Sequence, residues 1–119
     1  VEREDSGLLV LKRSEENTSS GYWNFPGGKI EEEEEKEEAV LRELKEETSL
    51  QGEVKKSGEY FIGSGETGHW RVYPFLIDAT GKVELNHEHS DHKWSDLENI
   101  EKLKTLGTGT ATEILKLND

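Results

Sequence analysis

Residues 28–50 read GKIEEEEEKEEAVLRELKEETSL, and this stretch decides the fold of the chain. Its second half consists of strong helix formers that neither Pro nor Gly interrupts, so we expect a helix there. Because an α-helix has 3.6 residues per turn, three carboxylates fall on one of its faces, at Glu43, Glu46 and Glu47. Val40 and Leu44, four residues apart, would face the core. Hard divalent cations prefer several carboxylate oxygens around one point, so the acidic face predicts half of a Mg²⁺ or Mn²⁺ site.

The same stretch resembles the Nudix box, the pattern G-x5-E-x7-R-E-U-x-E-E-x-G-U in which U is a bulky aliphatic residue. Gly28 is followed after five residues by Glu34, and Glu34 is followed after seven by RELKEETSL at 42–50. Every defined position matches except one, because Ser49 stands where the family has Gly. The lead-in WNFPGG at 23–28 is also similar to that of the family.

This resemblance implies one Nudix hydrolase domain over 1–119, with an α/β fold in which a mixed, curved sheet lies between helices as an α/β/α sandwich. A length of 119 residues agrees with a single domain and a single core. A strand is predicted at 8–12, and the turn at 4–7 before it indicates a hairpin. Only residues 1–3 are left for the first strand of that hairpin, so we expect the natural polypeptide to begin earlier.

Three further strands are predicted from runs rich in strand-forming residues, at 54–63, 69–78 and 83–85. The glycine-rich residues 63–68 between the first two predict a flexible loop. Pro74 lies inside the second strand, which indicates an edge or a bulge there. Near the end of the chain, Ser95 or Asp96 is expected to cap a helix, and a final amphipathic helix is expected at 111–117.

Composition and charge exclude several classes of function. The net charge is −12, and residues 31–38 (seven Glu and one Lys) contribute −6 of it. A surface of this sign repels phosphate groups unless a cation intervenes, so neither a nucleic-acid polymer nor an anionic membrane is expected as a partner. The sequence has no apolar run long enough to span a membrane. It also has no cysteine, which excludes disulfides and thiolate chemistry and is compatible with a cytoplasmic setting.

The resemblance also implies roles for the residues of the box. The three glutamates of the acidic face would ligate Mg²⁺ or Mn²⁺, and the backbone carbonyl of Gly27 would be an extra ligand. Glu34 and Arg42 would organise the junction between loop and helix and orient the ligands, as a charge-assisted pair can do. Either Glu43 or a glutamate outside the box would activate the attacking water.

Residues 86–94, NHEHSDHKW, are the second informative stretch. A zinc site formed by His87, His89 and His92 is one interpretation, but no cysteine accompanies them and loop histidines are commonly exposed. Many Nudix enzymes carry a Glu six residues before a Trp in this loop, and Glu88 stands six residues before Trp94. The resemblance implies that Glu88 is a further metal ligand or the general base. The alternative is an ordinary exposed loop residue.

The implied reaction is hydrolysis of a pyrophosphate bond in a nucleoside diphosphate linked to another moiety. Dinucleoside polyphosphates, oxidised or ordinary nucleoside triphosphates and ADP-ribose are the candidate substrates. The His-Glu-His sequence resembles the diadenosine-tetraphosphate branch and favours the first. Gly28 allows close approach of the backbone to a ligand, and Arg71 and Tyr73 lie where subfamily determinants often fall. Trp23 and Phe25 either stack on a base or pack in the core, and packing is favoured.

Two other classes of function are weighed against hydrolysis. A Nudix-fold module that senses a nucleotide without cleaving it has no need for all three helix glutamates. A generic acidic cation-binding protein has no need for the lead-in at 23–28 or for Arg42. The sequence does not distinguish a monomer from a homodimer.

Overall fold

The computed structural model describes residues 1–3, 7–14, 21–65, 68–103 and 115. Within these residues the order of elements is β1 (Glu2–Arg3), β2 (Gly7–Arg13), β3 (Trp23–Asn24), α1 (Lys36–Thr48), β4 (Gln51–Ser57), β5 (Phe61–Gly65), β6 (Gly68–Val72), β7 (Phe75–Thr80), β8 (His89–Ser95) and α2 (Leu97–Glu101). In this part of the chain no helix is long and apolar enough to cross a bilayer.

Strand β2 is the centre of a six-stranded mixed sheet. One of its edges pairs along its length with β8, and the other pairs with β1 near its start and with β3 near its end, all antiparallel. The sheet continues through a parallel pairing of β1 with β7 and an antiparallel pairing of β7 with β4. The predicted mixed sheet is therefore confirmed.

Alternate side chains of β2 pack on opposite faces of this sheet, as the two-residue period of a strand requires. The cluster on one face includes Leu9, Leu11 and Leu44 of α1. The cluster on the other face includes Leu8, Val10 and Ile100 of α2. Helices α1 and α2 thus cover opposite faces, which confirms the α/β/α arrangement. Each fully buried aliphatic side chain contributes about 1.5–3 kcal/mol to folding.

Helix α1 begins at Lys36 and ends at Thr48, as the acidic stretch predicts. Glutamates in its first turn are favourable because the N-terminus of a helix carries a partial positive charge. At the other end Ser49 has a left-handed backbone (φ 64°, ψ 8°), and its N–H donates to the carbonyl of Lys45 at 2.9 Å. Ser49 therefore terminates the helix in the conformation expected of the family's glycine.

The predicted strands at 54–63 and 69–78 are each divided in two. The first becomes β4 and β5, and the second becomes β6 and β7 with Tyr73 and Pro74 between them. Strands β5 and β6 leave the main sheet and form a separate two-stranded hairpin. Pro74 has no N–H for a ladder, and its carbonyl accepts from Gly58 N–H at 3.0 Å, which closes the base of the hairpin.

Other predictions need smaller corrections. Residues 63–65 and 68 are strand rather than loop, and 83–85 do not form a strand. In the latter segment Glu84 N–H donates to the carbonyl of Thr48 at 2.8 Å, so this segment is tied to the end of α1. Asp96 caps α2, as expected, by accepting from Asn99 N–H at 2.9 Å. The helix predicted at 111–117 lies outside the described residues apart from Leu115, which is buried.

Candidate functional site

The bend at Gly27 and Gly28 lies against the acidic face of α1. A Cβ atom at Gly28 would overlap the carboxylate of Glu43, so only glycine permits this close approach. The N–H of Gly27 donates to Oε2 of Glu47 at 3.4 Å, although the two residues are 20 positions apart. The glycine bend before α1 therefore contacts the acidic side chains near the end of α1.

Glu47 is the most buried carboxylate of this face. Only 1% of the surface of Glu47 is exposed to solvent. Burial raises the pKa of Glu47 to about 8, and repulsion from Glu43 and Glu88 acts in the same direction, while the Gly27 N–H acts against it. The structure therefore brings the acidic side chains of Glu43, Glu47 and Glu88 together. A bound cation would offset the repulsion between them.

Arg42 connects the loop before α1 to the acidic face. Its Nε and Nη2 donate to the two oxygens of Glu34 at 2.7 and 3.0 Å, in the parallel geometry that suits a guanidinium. Its Nη1 donates to Glu43 at 2.9 Å and to Glu46 at 3.2 Å. Hydrogen bonding from Arg42 lowers the pKa of Glu34 to about 2, so this carboxylate is ionised at neutral pH.

The acidic side chains are not arranged as a ready-made metal site. Among the described residues, no group of three or more His, Cys, Asp or Glu side chains has metal-binding geometry. The contacts explain this, because Arg42 engages Glu43 and Glu46 while Glu47 turns toward Gly27. The donors themselves still fit Mg²⁺ or Mn²⁺, since these ions prefer carboxylate oxygens. The raised pKa of Glu47 also shows that no positive group among the described residues balances the charge of its ionised form.

The loop that carries Glu88 is held between α1 and β2. Asn86 N–H donates to the carbonyl of Glu47 at 3.3 Å, and Glu88 N–H donates to Oδ1 of Asn86 at 3.1 Å. From the other side, Ser14 N–H donates to the carbonyl of Glu88 at 3.0 Å, and Ser14 Oγ donates to the carbonyl of His87 at 3.0 Å. Glu88 is therefore placed beside Glu47 by backbone contacts.

The sequence model of the NUDIX domain family matches residues 1–116 of this chain. The chain belongs to the Nudix family. CTP pyrophosphohydrolase of Escherichia coli K12 is 32% identical to it over 99 residues, which are 79% of this chain and 69% of that protein. ADP-ribose pyrophosphatase of Methanocaldococcus jannaschii is 35% identical over 102 residues, which are 83% of this chain and 60% of that protein.

A solved structure of the same fold is the MutT protein from Methanosarcina mazei Go1. It superposes with a TM-score of 0.77 at 27% identity and covers 98% of this chain and 88% of its own. These matches confirm the Nudix fold and the predicted enzyme class, a Nudix pyrophosphohydrolase. The family acts on nucleoside diphosphate derivatives and generally uses divalent metal ions.

Two of the predicted substrate-binding residues lie away from the acidic face of this Nudix domain. Trp23 is 8% exposed and belongs to the apolar cluster on the α2 side of the sheet, where Phe25 also packs. The ammonium group of Lys93 lies 5.0 Å from the ring centre of Trp23. Packing, the interpretation that the sequence favours, accounts for both aromatic residues.

Two further predicted substrate-binding residues, Arg71 and Tyr73, belong to an aromatic cluster at the hairpin. The guanidinium of Arg71 lies 4.7 Å from the ring centre of Tyr60, and the rings of Tyr60 and Tyr73 are 5.8 Å apart. Lys36, the first residue of α1, places its ammonium 4.6 Å from the ring centre of Tyr73. These four residues are named the tyrosine cluster below. The cluster shares helix α1 with the acidic face.

The sequence indicates His89 only as a zinc ligand or as part of the His-Glu-His sequence, and it does not place its side chain beside Glu47. This side chain is buried, and its Nδ1 lies 3.9 Å from Oε2 of Glu47. A β-bulge explains why, because Lys12 pairs with Asp91 whereas Arg13 pairs with His89. The bulge returns His89 to the face of the sheet that α1 covers, and alternation counted back from Trp94 would place it on the other face.

Proposed function

We propose that this chain hydrolyses a pyrophosphate bond in a nucleoside diphosphate linked to another moiety, using Mg²⁺ or Mn²⁺. The observation that carries the proposal is the buried carboxylate of Glu47. It lies against the glycine bend and close enough to Glu43 and Glu88 for their repulsion to raise its pKa. Such an uncompensated cluster of oxygen donors is typical of a site that a divalent cation completes.

The proposed cation ligands are the carboxylates of Glu43, Glu46 and Glu47 and the backbone carbonyl of Gly27, and Glu88 is either a further ligand or the general base. When bound, the ion supplies a positive charge that offsets the charge building up on the phosphate oxygens. The protein's own part is positioning. Arg42 couples two of the ligands to Glu34, and Gly28 leaves the space that Glu43 occupies.

For the general base we favour Glu88 over Glu43. The carboxylate of Glu43 already accepts from Arg42 at 2.9 Å and fills the space beside Gly28. Glu88 is partly buried beside Glu47 on a loop that both α1 and β2 hold in place. Replacing Glu88 by Gln should lower kcat more than it changes Mn²⁺ affinity, whereas Glu43→Gln should weaken both.

The substrate class follows from what the relatives have in common. CTP and ADP-ribose, named for two relatives, share a nucleoside diphosphate unit, as do dinucleoside polyphosphates. The tyrosine cluster offers aromatic faces and two cations, a combination that suits a nucleobase and its phosphates. We therefore propose that Arg71 and Tyr73 contact the nucleoside and that the partner is a small-molecule nucleotide. A cytoplasmic location is proposed separately, since the sequence has no cysteine.

The decisive experiment is a hydrolysis panel with Mg²⁺ and with Mn²⁺. CTP, an oxidised nucleoside triphosphate, ADP-ribose and diadenosine tetraphosphate are incubated with the protein, and the product nucleotides are separated by chromatography. We expect turnover of at least one of them, and its loss in Glu47→Gln and Glu46→Gln variants that stay folded. Glu53→Gln, which changes an exposed carboxylate on β4, is the matched control.

The competing function is a module that senses a nucleotide without cleaving it. That function predicts saturable nucleotide binding by calorimetry with no product from any member of the panel. Undiminished turnover in Glu47→Gln would also contradict the proposed role of the acidic face, since the reaction would then not need its buried carboxylate.

A further inference from the structure

The imidazole of His89 lies next to the buried carboxylate of Glu47 without a hydrogen-bond partner for its inner nitrogen. His89 is 7% exposed and Glu47 is 1% exposed. Among the described residues, Nδ1 of His89 has no hydrogen-bond partner, and Oε2 of Glu47 lies 3.9 Å from it. Buried polar atoms of folded proteins are nearly always paired, so this nitrogen requires an explanation.

Backbone contacts bring the two side chains together independently of their own chemistry. His89 N–H donates to the carbonyl of Asn86 at 3.5 Å, and Asn86 N–H donates to the carbonyl of Glu47 at 3.3 Å. On the opposite side His89 pairs with Arg13 across the bulge between β2 and β8. The segment that carries His89 is therefore fixed both to the end of α1 and to the central strand.

The neutral form of the imidazole suits this position. Burial lowers the pKa of His89, and the charge of Arg13 acts in the same direction, while Glu88 opposes them. A neutral imidazole can carry its proton on Nδ1 and donate it to a carboxylate oxygen. Oε2 of Glu47 accepts a long hydrogen bond from Gly27 N–H, at 3.4 Å, and a carboxylate oxygen has a second lone pair for another donor.

We propose that His89 is a positioning residue for Glu47: its Nδ1–H donates to Oε2 of that carboxylate and fixes the orientation in which Glu47 ligates the divalent cation. The inference rests on the proposed function, because it concerns a ligand of the cation site. The separation of 3.9 Å is longer than a hydrogen bond, so a small rotation of either side chain is needed to form it. Groups that orient a ligand in this way commonly change metal affinity by about 10–100-fold when they are removed.

Three substitutions separate a hydrogen-bonding role from packing. His89→Asn retains an amide nitrogen near the position of Nδ1, whereas His89→Gln moves it to the position of Nε2, and His89→Leu removes it. His87→Leu changes an exposed histidine two residues away and is the matched control. Mn²⁺ affinity is measured by electron paramagnetic resonance of the free ion, and urea unfolding of each metal-free variant reports stability.

We expect His89→Leu and His89→Gln to weaken Mn²⁺ binding by roughly 10-fold or more, and His89→Asn and His87→Leu to stay within about 3-fold of wild type. In a Glu47→Gln background the effect of His89→Leu should disappear, because its partner is gone.

Wild-type Mn²⁺ affinity in a folded His89→Leu variant would overturn the role of His89. Equal losses in His89→Asn and His89→Gln would overturn it as well, and this pair carries the test if the leucine variant does not fold. Failure of the wild-type protein to bind Mn²⁺ would instead contradict the proposed function.

Discussion

Arg42 and Glu34 are joined by two parallel hydrogen bonds, of 2.7 and 3.0 Å, between the guanidinium and the carboxylate. The pair links helix α1 to the loop eight residues earlier, and the same guanidinium also reaches the carbonyl of Lys29 at 2.9 Å. Because Arg42 contacts Glu43 and Glu46 at once, the loop and the acidic face are held by one side chain. This arrangement makes the geometry of the face sensitive to a residue that is not itself a proposed cation ligand.

The Glu34 carboxylate should make stability depend on pH in the acid range. Its pKa falls from 4.5 to about 2 on folding, chiefly through the hydrogen bond from Arg42. A depressed carboxyl pKa stabilises the fold above pH 4.5, and this contribution is lost as the pH falls through about 2. Urea unfolding between pH 5 and 2 should therefore show a smaller decrease in Glu34→Gln than in wild type. Glu32→Gln, an exposed neighbour, should behave like wild type.

Glu47 should have the opposite effect at higher pH. Burial raises its pKa from 4.5 to about 8, so the folded metal-free protein binds an extra proton between these values. The contribution of this group to stability is complete below pH 4.5 and is lost as the pH rises through about 8. The free energy of unfolding should decrease by at most about 1.4 kcal/mol per pH unit in this range.

Two comparisons check the origin of that decrease. Glu47→Gln should remove the contribution of this carboxylate to the slope, because glutamine does not titrate, and should leave the contributions of the N-terminal amine and His89, whose pKa values are lowered. Mn²⁺ should raise the unfolding midpoint more at pH 8 than at pH 6, because binding requires the ionised carboxylate. The same pH dependence of the unfolding free energy from pH 5 to 8 in the metal-free wild type and in Glu47→Gln would contradict the buried position of Glu47.

Local sequence signals predicted the helix because its determinants lie within a few residues. The run from Lys36 to Thr48 contains good helix formers, and Asp96 is a strong capping residue for α2. The contact of Arg42 with Glu34 also follows from the spacing of the family pattern. These features need no knowledge of distant parts of the chain.

The hairpin and the place of His89 could not be predicted in the same way. The sequence predicts one continuous strand through 58–60, and at Pro74 it indicates only an edge or a bulge, but the chain changes sheets at both points. Likewise, the bulge opposite Arg13 inserts one residue into β8 and so reverses the faces that simple alternation assigns. Pairing partners far away in sequence decide both features.

Replacing Gly28 by Ala should disrupt the site more than the fold. A Cβ at this position would overlap the Glu43 carboxylate, so the carboxylate must move and its hydrogen bond from Arg42 must change. We expect a loss of activity of 10-fold or more with a destabilisation below about 1 kcal/mol, because Gly28 is exposed and the overlapping carboxylate is the end of a flexible side chain. At Gly27 a Cβ would meet nothing within 4 Å, so Gly27→Ala is the control for stability by thermal unfolding. Equal activity in Gly28→Ala and wild type would show that Glu43 does not need its present position.

Ser49→Gly should stabilise the end of α1. Ser49 has a φ of 64°, in the left-handed region that costs a residue with a Cβ about 1 kcal/mol relative to glycine. The substitution removes a hydrogen bond from Ser49 Oγ to the carbonyl of Glu84, but at 3.4 Å this bond is long and exposed. We therefore expect the free energy of unfolding to increase by about 0.5–1 kcal/mol in urea titrations. Ser49→Ala is the control, because it removes the same hydrogen bond and keeps the Cβ. If alanine and glycine had the same effect, the backbone conformation would not be the source of the gain.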